Sequence, residues 1–172
     1  MGEDGLFKVI VGESGVKWFN SMFSFRGTFI HTLQPKNRVN IPAKYWPRGK
    51  KRTDEPIVVV LSRGLDGCIW LNPKERWDRI EKGLDSRSDL TFGKFRKFKR
   101  NLLLNVSDIE VDKQGRIIIS RELLDYAGIE KEVLFHGLIS YAELWSPEKF
   151  KAVIEETQEE FIKLAEELNL EV

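Results

Sequence analysis

Residues 111–120 read VDKQGRIIIS, and residues 33–42 read LQPKNRVNIP, which is the same pattern 78 positions earlier, the step from Arg116 back to Arg38. In both stretches an apolar residue leads into a short polar turn, and the turn ends at the arginine, which a β-branched run follows. A polar turn between two such runs is typical of a β-hairpin. The chain is therefore predicted to contain one hairpin unit twice, with one arginine in each copy.

The predicted secondary structure repeats in the same order in both copies. After each hairpin comes a shared stretch, IWLNP at 69–73 and ELWSP at 143–147, in which a strand ends at Asn or Ser and proline opens a helix. Strands are predicted over 26–33, 38–41, 56–61, 68–71, 107–111, 116–119, 132–135 and 142–145. Helices are predicted from 73, over 89–104, over 121–127 with Gly128 as the stop, and from 147 to about 168.

The composition favours a globular protein of the cytoplasm. At 172 residues and 41% hydrophobic, the chain suits one domain or two small domains fused by duplication. Its one cysteine, Cys68, leaves no intramolecular disulfide, and no charged apolar leader with a cleavage site is visible. Apolar runs such as 57–61 are far shorter than the roughly 20 residues that cross a bilayer. We therefore expect a soluble cytoplasmic protein with no membrane partner.

Charge is distributed unevenly along the chain although the net charge is only +1. Residues 22–104 contain 19 basic and 8 acidic residues, whereas residues 105–172 contain 7 basic and 16 acidic residues. This polarity suits a basic face that binds a polyanion, or complementary surfaces through which copies of the chain associate head to tail. Both interpretations stay open.

The sequence gives little support to an enzyme. His31 and His136 lack metal-binding spacing and are expected to be satisfied or exposed, and Cys68 lies in an apolar strand where core packing is expected. The carboxylates of the last helix are expected to face water, with no apolar pocket to raise a pKa. We expect no catalytic residues, no metal, no cofactor and no small-molecule substrate.

Several stretches together resemble the MraZ family. They are RGT at 26–28, KNRVNIPA at 36–43, FKR at 98–100, VDKQGRIII at 111–119 and YAGIEKEV at 126–133. The resemblance runs from about Met22 into the final helix. It is specific because two related motifs, their spacing and the linker between them all agree.

The resemblance implies an α+β fold made of duplicated swapped-hairpin units of the AbrB type, a double-split β-barrel, with packed helices and a long C-terminal helix. The expected organisation is an N-terminal extension, a first SpoVT-AbrB-like unit, a helical basic linker, a second unit and an acidic amphipathic helix. The corresponding ranges are 1–21, 28–75, 76–105, 106–149 and 150–172. The extension is expected to be disordered.

The resemblance also implies a function. Members of the family are sequence-specific DNA-binding transcriptional regulators that form ring-shaped homo-oligomers. They bind direct repeats upstream of their own gene, at the head of the division and cell-wall gene cluster, so a nucleoid-associated protein is expected. The family hallmark is Asp-x-x-x-Arg in each unit. The second copy has it as Asp112 and Arg116, whereas the first copy has Gln34 before Arg38, with Asn37 where glycine is usual.

The candidate interface residues follow from the two turns. Arginine presents a planar fork of donors that can pair with a guanine edge or grip a phosphate. Asn37 can adopt the left-handed geometry that glycine would supply. The predicted DNA contacts are Arg38, Lys36, Asn37, Lys44 and Arg116, and the predicted turn-shaping residues are Gln34, Asp112 and Gly115. For Arg116, a structural ion pair with Asp112 is the alternative.

Two further basic segments are interpreted differently. The loop at 48–52 is expected either to contact phosphates or to be simply solvated. The cations at 94–100 are expected on the wet face of a packed helix, or on an inter-subunit surface against the acidic C-terminal helix, with contact to nucleic acid as the third alternative. The alternative to a DNA-binding regulator is accordingly a ring-forming protein–protein scaffold that does not read DNA sequence.

Overall fold

The computed structural model describes residues 23–46, 56–86, 92–158 and 160–168. The strands are β1 Thr28–Thr32, β2 Arg38–Asn40, β3 Val58–Arg63, β4 Ile69–Pro73, β5 Ser107–Glu110, β6 Arg116–Ile118, β7 Glu132–Gly137 and β8 Ala142–Trp145. The helices are α1 Lys74–Asp85, α2 Phe92–Leu102, α3 Arg121–Ala127, α4 Pro147–Thr157 and α5 Phe161–Glu167, with 3-10 turns at Pro35–Asn37 and Ala43–Tyr45. The predicted extension at 1–21 and the basic loop at 48–52 lie outside the described residues.

The strands form a six-stranded sheet in the order β1-β7-β8-β4-β3-β5 and a separate two-stranded sheet of β2 and β6, with antiparallel pairing throughout. The first strand of each copy pairs with the third strand of the other copy, β1 with β7 and β5 with β3. This exchange is the swapped-hairpin arrangement. The predicted α+β fold of interlocked hairpin units is confirmed, and the large sheet is open at β1 and β5.

The two copies are related by a pseudo-two-fold axis through the pair formed by β2 and β6, called the β2–β6 ribbon below. Val39 lies opposite Ile117 at the centre of the ribbon, and these two residues occupy equivalent positions of the repeat. The backbone bonds at the two ends are equivalent as well, since Ile41 N–H donates to the Gly115 carbonyl at 2.9 Å and Ile119 N–H donates to the Asn37 carbonyl at 3.0 Å. The two turns therefore lie at opposite ends of the ribbon.

The large sheet separates two sets of packed elements. On one face, Val39 and Ile117 of the ribbon and Leu123 of α3 are buried in the main core, against alternate sheet residues such as Val59 and Phe135. The intervening sheet residues point to the opposite face, where α1, α2 and α4 pack against them. The chain is thus a three-layer structure, with the ribbon and α3 on one side of the sheet and the longer helices on the other.

Local signals explain several helix boundaries. Ser120 Oγ caps α3 by accepting from Leu123 N–H at 3.3 Å, and Gly128, with φ 67°, ends that helix in the left-handed conformation. Trp77 of α1 is fully buried against Val60 and Leu102, and Ile80 packs beside it, as the predicted apolar stripe requires.

The C-terminal helix differs from the single long helix that was predicted. Its start is confirmed, with Ser146 Oγ accepting from Lys149 N–H at 3.2 Å and Pro147 in the first turn. However, α4 ends at Thr157, and α5 begins only at Phe161. The Thr157 hydroxyl donates to the Val153 carbonyl at 2.9 Å, a back-bond that competes with the helical ladder and bends helices.

Cys68 lies fully buried in the core, as expected, and burial raises the pKa of its thiol to about 12. Within the described ranges, no helix is long and apolar enough to cross a membrane.

Candidate nucleic-acid interface

The outer face of the β2–β6 ribbon is the surface where the structure brings the two motif arginines together. Side chains alternate across a strand, so burial of Val39 and Ile117 turns their neighbours outward. The outward-facing residues are Arg38, Asn40, Arg116 and Ile118. Arg38 lies opposite Ile118 and Arg116 lies opposite Asn40, which places the two arginines on one diagonal. A two-stranded ribbon of this kind fits the major groove of B-DNA.

The second turn holds its arginine through a carboxylate. Asp112 Oδ1 accepts from the backbone N–H groups of Gln114, at 2.8 Å, and of Arg116, at 2.9 Å. Asp112 Oδ2 accepts from Arg116 Nε at 2.7 Å. Gly115 supplies the left-handed step, with φ 79°. Both the turn-shaping geometry expected of Asp112 and its ion pair with Arg116 are therefore present.

The electrostatics of Asp112 follow from these bonds. Burial by itself acts to raise the pKa of this carboxyl, but the hydrogen bonds from the Arg116 backbone, the Arg116 guanidinium and the Gln114 backbone outweigh it. The net pKa of Asp112 is below its ordinary value. The carboxylate stays ionised and keeps the guanidinium in one orientation.

The first turn is built without a carboxylate. Gln34 N–H donates to the Arg38 carbonyl at 2.7 Å, which closes the turn through the backbone. Asn37 takes the left-handed conformation, with φ 55°, as predicted, and Lys36 takes it too, with φ 62°, which the sequence did not predict. The Arg38 side chain makes no hydrogen bond or ion pair with any residue that the structure describes. Its fork of donors is free for a ligand.

A polar bridge connects the two turns across the ribbon, and sequence reasoning missed it. Asn40 Oδ1 accepts from Gln34 Nε2 at 2.8 Å, and Asn40 Nδ2 donates to the Gln114 carbonyl at 3.3 Å. The Asn40 carbonyl also lies 2.8 Å from His31 Nδ1, which gives His31 the partner that was expected. The available signal was that Asn40 stands where the second copy has Ile118, a polar residue in an otherwise apolar position of the repeat.

The remaining candidate residue, Lys44, lies at the other end of the ribbon from Arg38. It follows β2 beyond the point where Ile41 bonds to Gly115, and its Nζ lies 5.6 Å from the centroid of the Phe29 ring. Lys36 and Arg38 therefore supply positive charge at one end, and Lys44 accompanies Arg116 at the other. The sequence had suggested acidic surroundings for Arg116, and Asp112 is the acidic residue that the structure places against it.

The linker cations lie on a different surface. Leu102 of α2 is buried against Trp77 and Val60, on the face of the sheet opposite the ribbon, while Lys94, Arg96, Lys97 and Arg100 are exposed. Lys99 Nζ lies 3.7 Å from Asp85 Oδ1. The predicted wet face of a packed helix is confirmed.

Comparison with known proteins yields one family. The family model described as "MraZ protein, putative antitoxin-like" matches residues 102–171. A protein of Clostridium beijerinckii named "Transcriptional regulator MraZ" is 37% identical over 145 residues, which cover 84% of this chain and 96% of the relative. Proteins with the same name from Syntrophomonas wolfei and Natranaerobius thermophilus are 35% and 36% identical over 144 residues, with the same coverage of both chains.

Proposed function

The chain belongs to the MraZ family, and from that premise we propose that it is a transcriptional regulator that binds double-stranded DNA sequence-specifically through the β2–β6 ribbon. The observation that carries the proposal is the pair of arginines on the outer face of this ribbon, Arg38 without a partner among the described residues and Arg116 oriented by Asp112. The relatives are named as regulators of transcription and not as enzymes, which supports a binding role.

Arg38 is the principal base reader in this proposal. No residue in the described part of the chain bonds its guanidinium, so both terminal nitrogens can donate to O6 and N7 of a guanine in the major groove. A good bidentate pair of this kind is worth about 1–3 kcal/mol of discrimination against the wrong base. Arg116 arrives in a fixed orientation because of Asp112, which limits the entropy it loses on binding.

The surrounding cations contact the phosphates. Lys36 and Lys44 are exposed at opposite ends of the ribbon, so they can contact the sugar-phosphate backbone on both sides of the groove that the ribbon enters. Asn37 lies in the same turn as Lys36 and adds a neutral donor. These contacts position the protein on DNA without specifying sequence. They make the affinity depend steeply on salt.

In the cell, we propose, the protein acts as a homo-oligomeric ring on direct repeats upstream of its own gene, at the nucleoid. A ring presents several ribbons, so that binding of one ribbon raises the effective concentration of the next at its repeat. Support comes from apolar side chains that the helices leave exposed. Phe161, in α5, and Leu168, directly after α5, are both 66% exposed beside acidic residues, and α2 exposes Phe98 among cations. Such surfaces suit contact between copies.

The same exposed helices favour the second candidate function, a ring-forming scaffold that binds a protein partner without reading DNA sequence. A scaffold would retain its partner after nuclease treatment, and binding would depend on residues such as Phe161.

A salt titration tests the regulator proposal. Fluorescence anisotropy measures binding of the full chain to a labelled duplex from upstream of its gene, with a scrambled duplex of the same composition as the control. We expect selective binding, with the logarithm of the affinity falling linearly against the logarithm of the salt concentration. Equal affinity for both duplexes would count against a sequence-specific regulator and favour the scaffold.

A further inference from the structure

Ile118 is an exposed apolar side chain at the centre of the proposed DNA-binding face. It is 54% exposed, and the other three outward-facing residues of the ribbon, Arg38, Asn40 and Arg116, are polar. Ile117 and Ile119, the residues on either side of Ile118, are fully buried in the main core. Core packing explains why those two residues are apolar, but it does not explain an apolar residue at position 118.

We propose that Ile118 reads the 5-methyl group of a thymine next to the guanine that Arg38 contacts. This inference rests on the proposed function and names the sequence feature that the same face selects. Of the four bases, thymine is the one that exposes an apolar group, its C5-methyl, in the major groove. An isoleucine on a face that enters this groove can therefore bury its side chain against an apolar part of a base only by contacting a thymine methyl group.

The register of the ribbon sets which base pair is involved. Ile118 lies directly opposite Arg38, and side chains at such positions have Cβ atoms about 4.5–5.5 Å apart. Successive bases along one DNA strand are about 3.4 Å apart. Two side chains with this separation meet neighbouring base pairs, so the arginine and the isoleucine form one reading unit for a guanine and an adjacent thymine.

The other end of the ribbon lacks this unit. The position equivalent to Ile118 is Asn40, and its amide is occupied by Gln34 and by the Gln114 carbonyl. The pseudo-two-fold symmetry of the backbone is thus broken on the reading face, with arginine and isoleucine at one end and arginine and a bonded asparagine at the other. An asymmetric face has a defined direction on DNA. Direct repeats preserve that direction from one site to the next, whereas inverted repeats would not.

The experiment compares two duplexes of identical sequence from upstream of the gene, one made with deoxythymidine and one with deoxyuridine throughout. Uracil pairs as thymine does but lacks the methyl group. The wild-type chain should bind the uracil duplex more weakly, by a factor of about four for each methyl group that it buries. Ile118→Ala should bind the thymine duplex more weakly than the wild type and should bind both duplexes equally.

Two further variants complete the test. Ile154→Ala removes the same side chain from α4, where it is 47% exposed on the opposite side of the sheet, and should leave the preference for thymine unchanged. Ile118→Val removes one methylene and should give an intermediate preference, which keeps the test valid if Ile118→Ala folds poorly.

The thymine contact would be overturned, and the proposed function left intact, if the wild-type chain binds its sequence selectively through Arg38 but has equal affinity for the thymine and uracil duplexes. An Ile118→Ala variant that folds and retains the full preference for thymine would have the same consequence. Wild-type chain that shows no sequence-selective binding would overturn the proposed function, and the thymine contact with it.

Discussion

Arg38 and Arg116 occupy equivalent positions of the repeat, but the fold holds them differently. The difference comes from one side chain four residues earlier, a carboxylate at Asp112 and an amide at Gln34. The carboxylate pairs with its arginine, whereas the amide turns to Asn40 and leaves Arg38 without a partner among the described residues. Equivalent positions of the repeat thus hold one guanidinium that a carboxylate orients and one that no described residue bonds.

Asp112 should contribute stability that depends on pH. Its folded-state pKa is below the ordinary value, so its contribution is present above about pH 4 and is lost as the pH falls through the lowered pKa. Asp112→Asn should therefore reduce the free energy of unfolding at pH 7 and reduce it by less at pH 3, as measured by urea unfolding.

The matched control for this prediction is Asp125→Asn. Asp125 pairs with Arg121 at 2.8 Å on the exposed face of α3, where an ion pair is worth about 0–1 kcal/mol. A destabilisation by Asp112→Asn that is the same at both pH values would contradict the role assigned to the ionised carboxylate.

The left-handed conformation of Asn37 predicts a second stability effect. With φ at 55°, a β-branched side chain is strained there, by about 1–2 kcal/mol. Asn37→Val should lower the free energy of unfolding by about that amount, and Asn37→Gly should change it by less than about 0.5 kcal/mol. Thermal and urea unfolding measure both. Equal destabilisation by the two variants would show that backbone conformation is not the cause.

At the scale of elements, Val39 and Ile117 are the central inward-facing side chains of the β2–β6 ribbon, and both are fully buried in the main core. Ile117→Ala should therefore lower the free energy of unfolding by about 2–5 kcal/mol and weaken DNA binding, because it leaves a cavity between the ribbon and the core. The exposed neighbour provides the control, since Ile118→Ala should cost less than about 0.5 kcal/mol. Urea unfolding that gave similar values for the two variants would contradict the assignment of inner and outer faces.

Elements governed by nearby residues were predictable from the sequence. The repeated hairpins, the start of α4 at Ser146 and Pro147, and the stop of α3 at Gly128 depend on side chains within a few positions. The exchange of β1 and β5 between the copies was implied by the family resemblance alone, because strand pairing between distant segments leaves little local trace.

The polar contacts of the site were harder to predict. The Asn40 bridge joins residues 74 positions apart, from Asn40 to Gln114, and its geometry exists only after the two copies interlock. The left-handed conformation of Lys36 and the division of the C-terminal helix at Thr157 also escaped prediction. In both cases local hydrogen bonding or turn closure prevails over the average preference of the residue type.

For the whole molecule, the sheet separates two surfaces with different proposed tasks. The ribbon and its arginines lie on one side, and the basic α2 and acidic α4 lie on the other, packed against opposite faces of the same strands. DNA binding and association between copies therefore need not compete for one surface. In the proposed ring, this separation would leave the ribbons accessible to successive repeats.

The surface proposed for association predicts an effect on oligomeric state. Phe161 is 66% exposed on α5, and Phe161→Glu would place a further negative charge in an apolar contact between copies. Light scattering coupled to gel filtration should give a mass several times the 20.0 kDa chain for the wild type and a smaller mass for the variant. Glu166→Gln, on the same helix, should leave the mass unchanged. A wild-type chain that is monomeric at micromolar concentration would contradict the ring.

The most direct test of the central claim is the affinity of Arg38→Ala for the duplex from upstream of the gene, measured beside the wild type and Arg79→Ala at one salt concentration. Arg79 lies exposed on α1, across the sheet from the ribbon. Arg79→Ala therefore removes the same charge without changing the proposed interface. The account predicts that Arg38→Ala folds normally but loses sequence-selective binding, by a factor of about ten or more, while Arg79→Ala binds as the wild type does. Wild-type affinity and selectivity in a folded Arg38→Ala variant would contradict it.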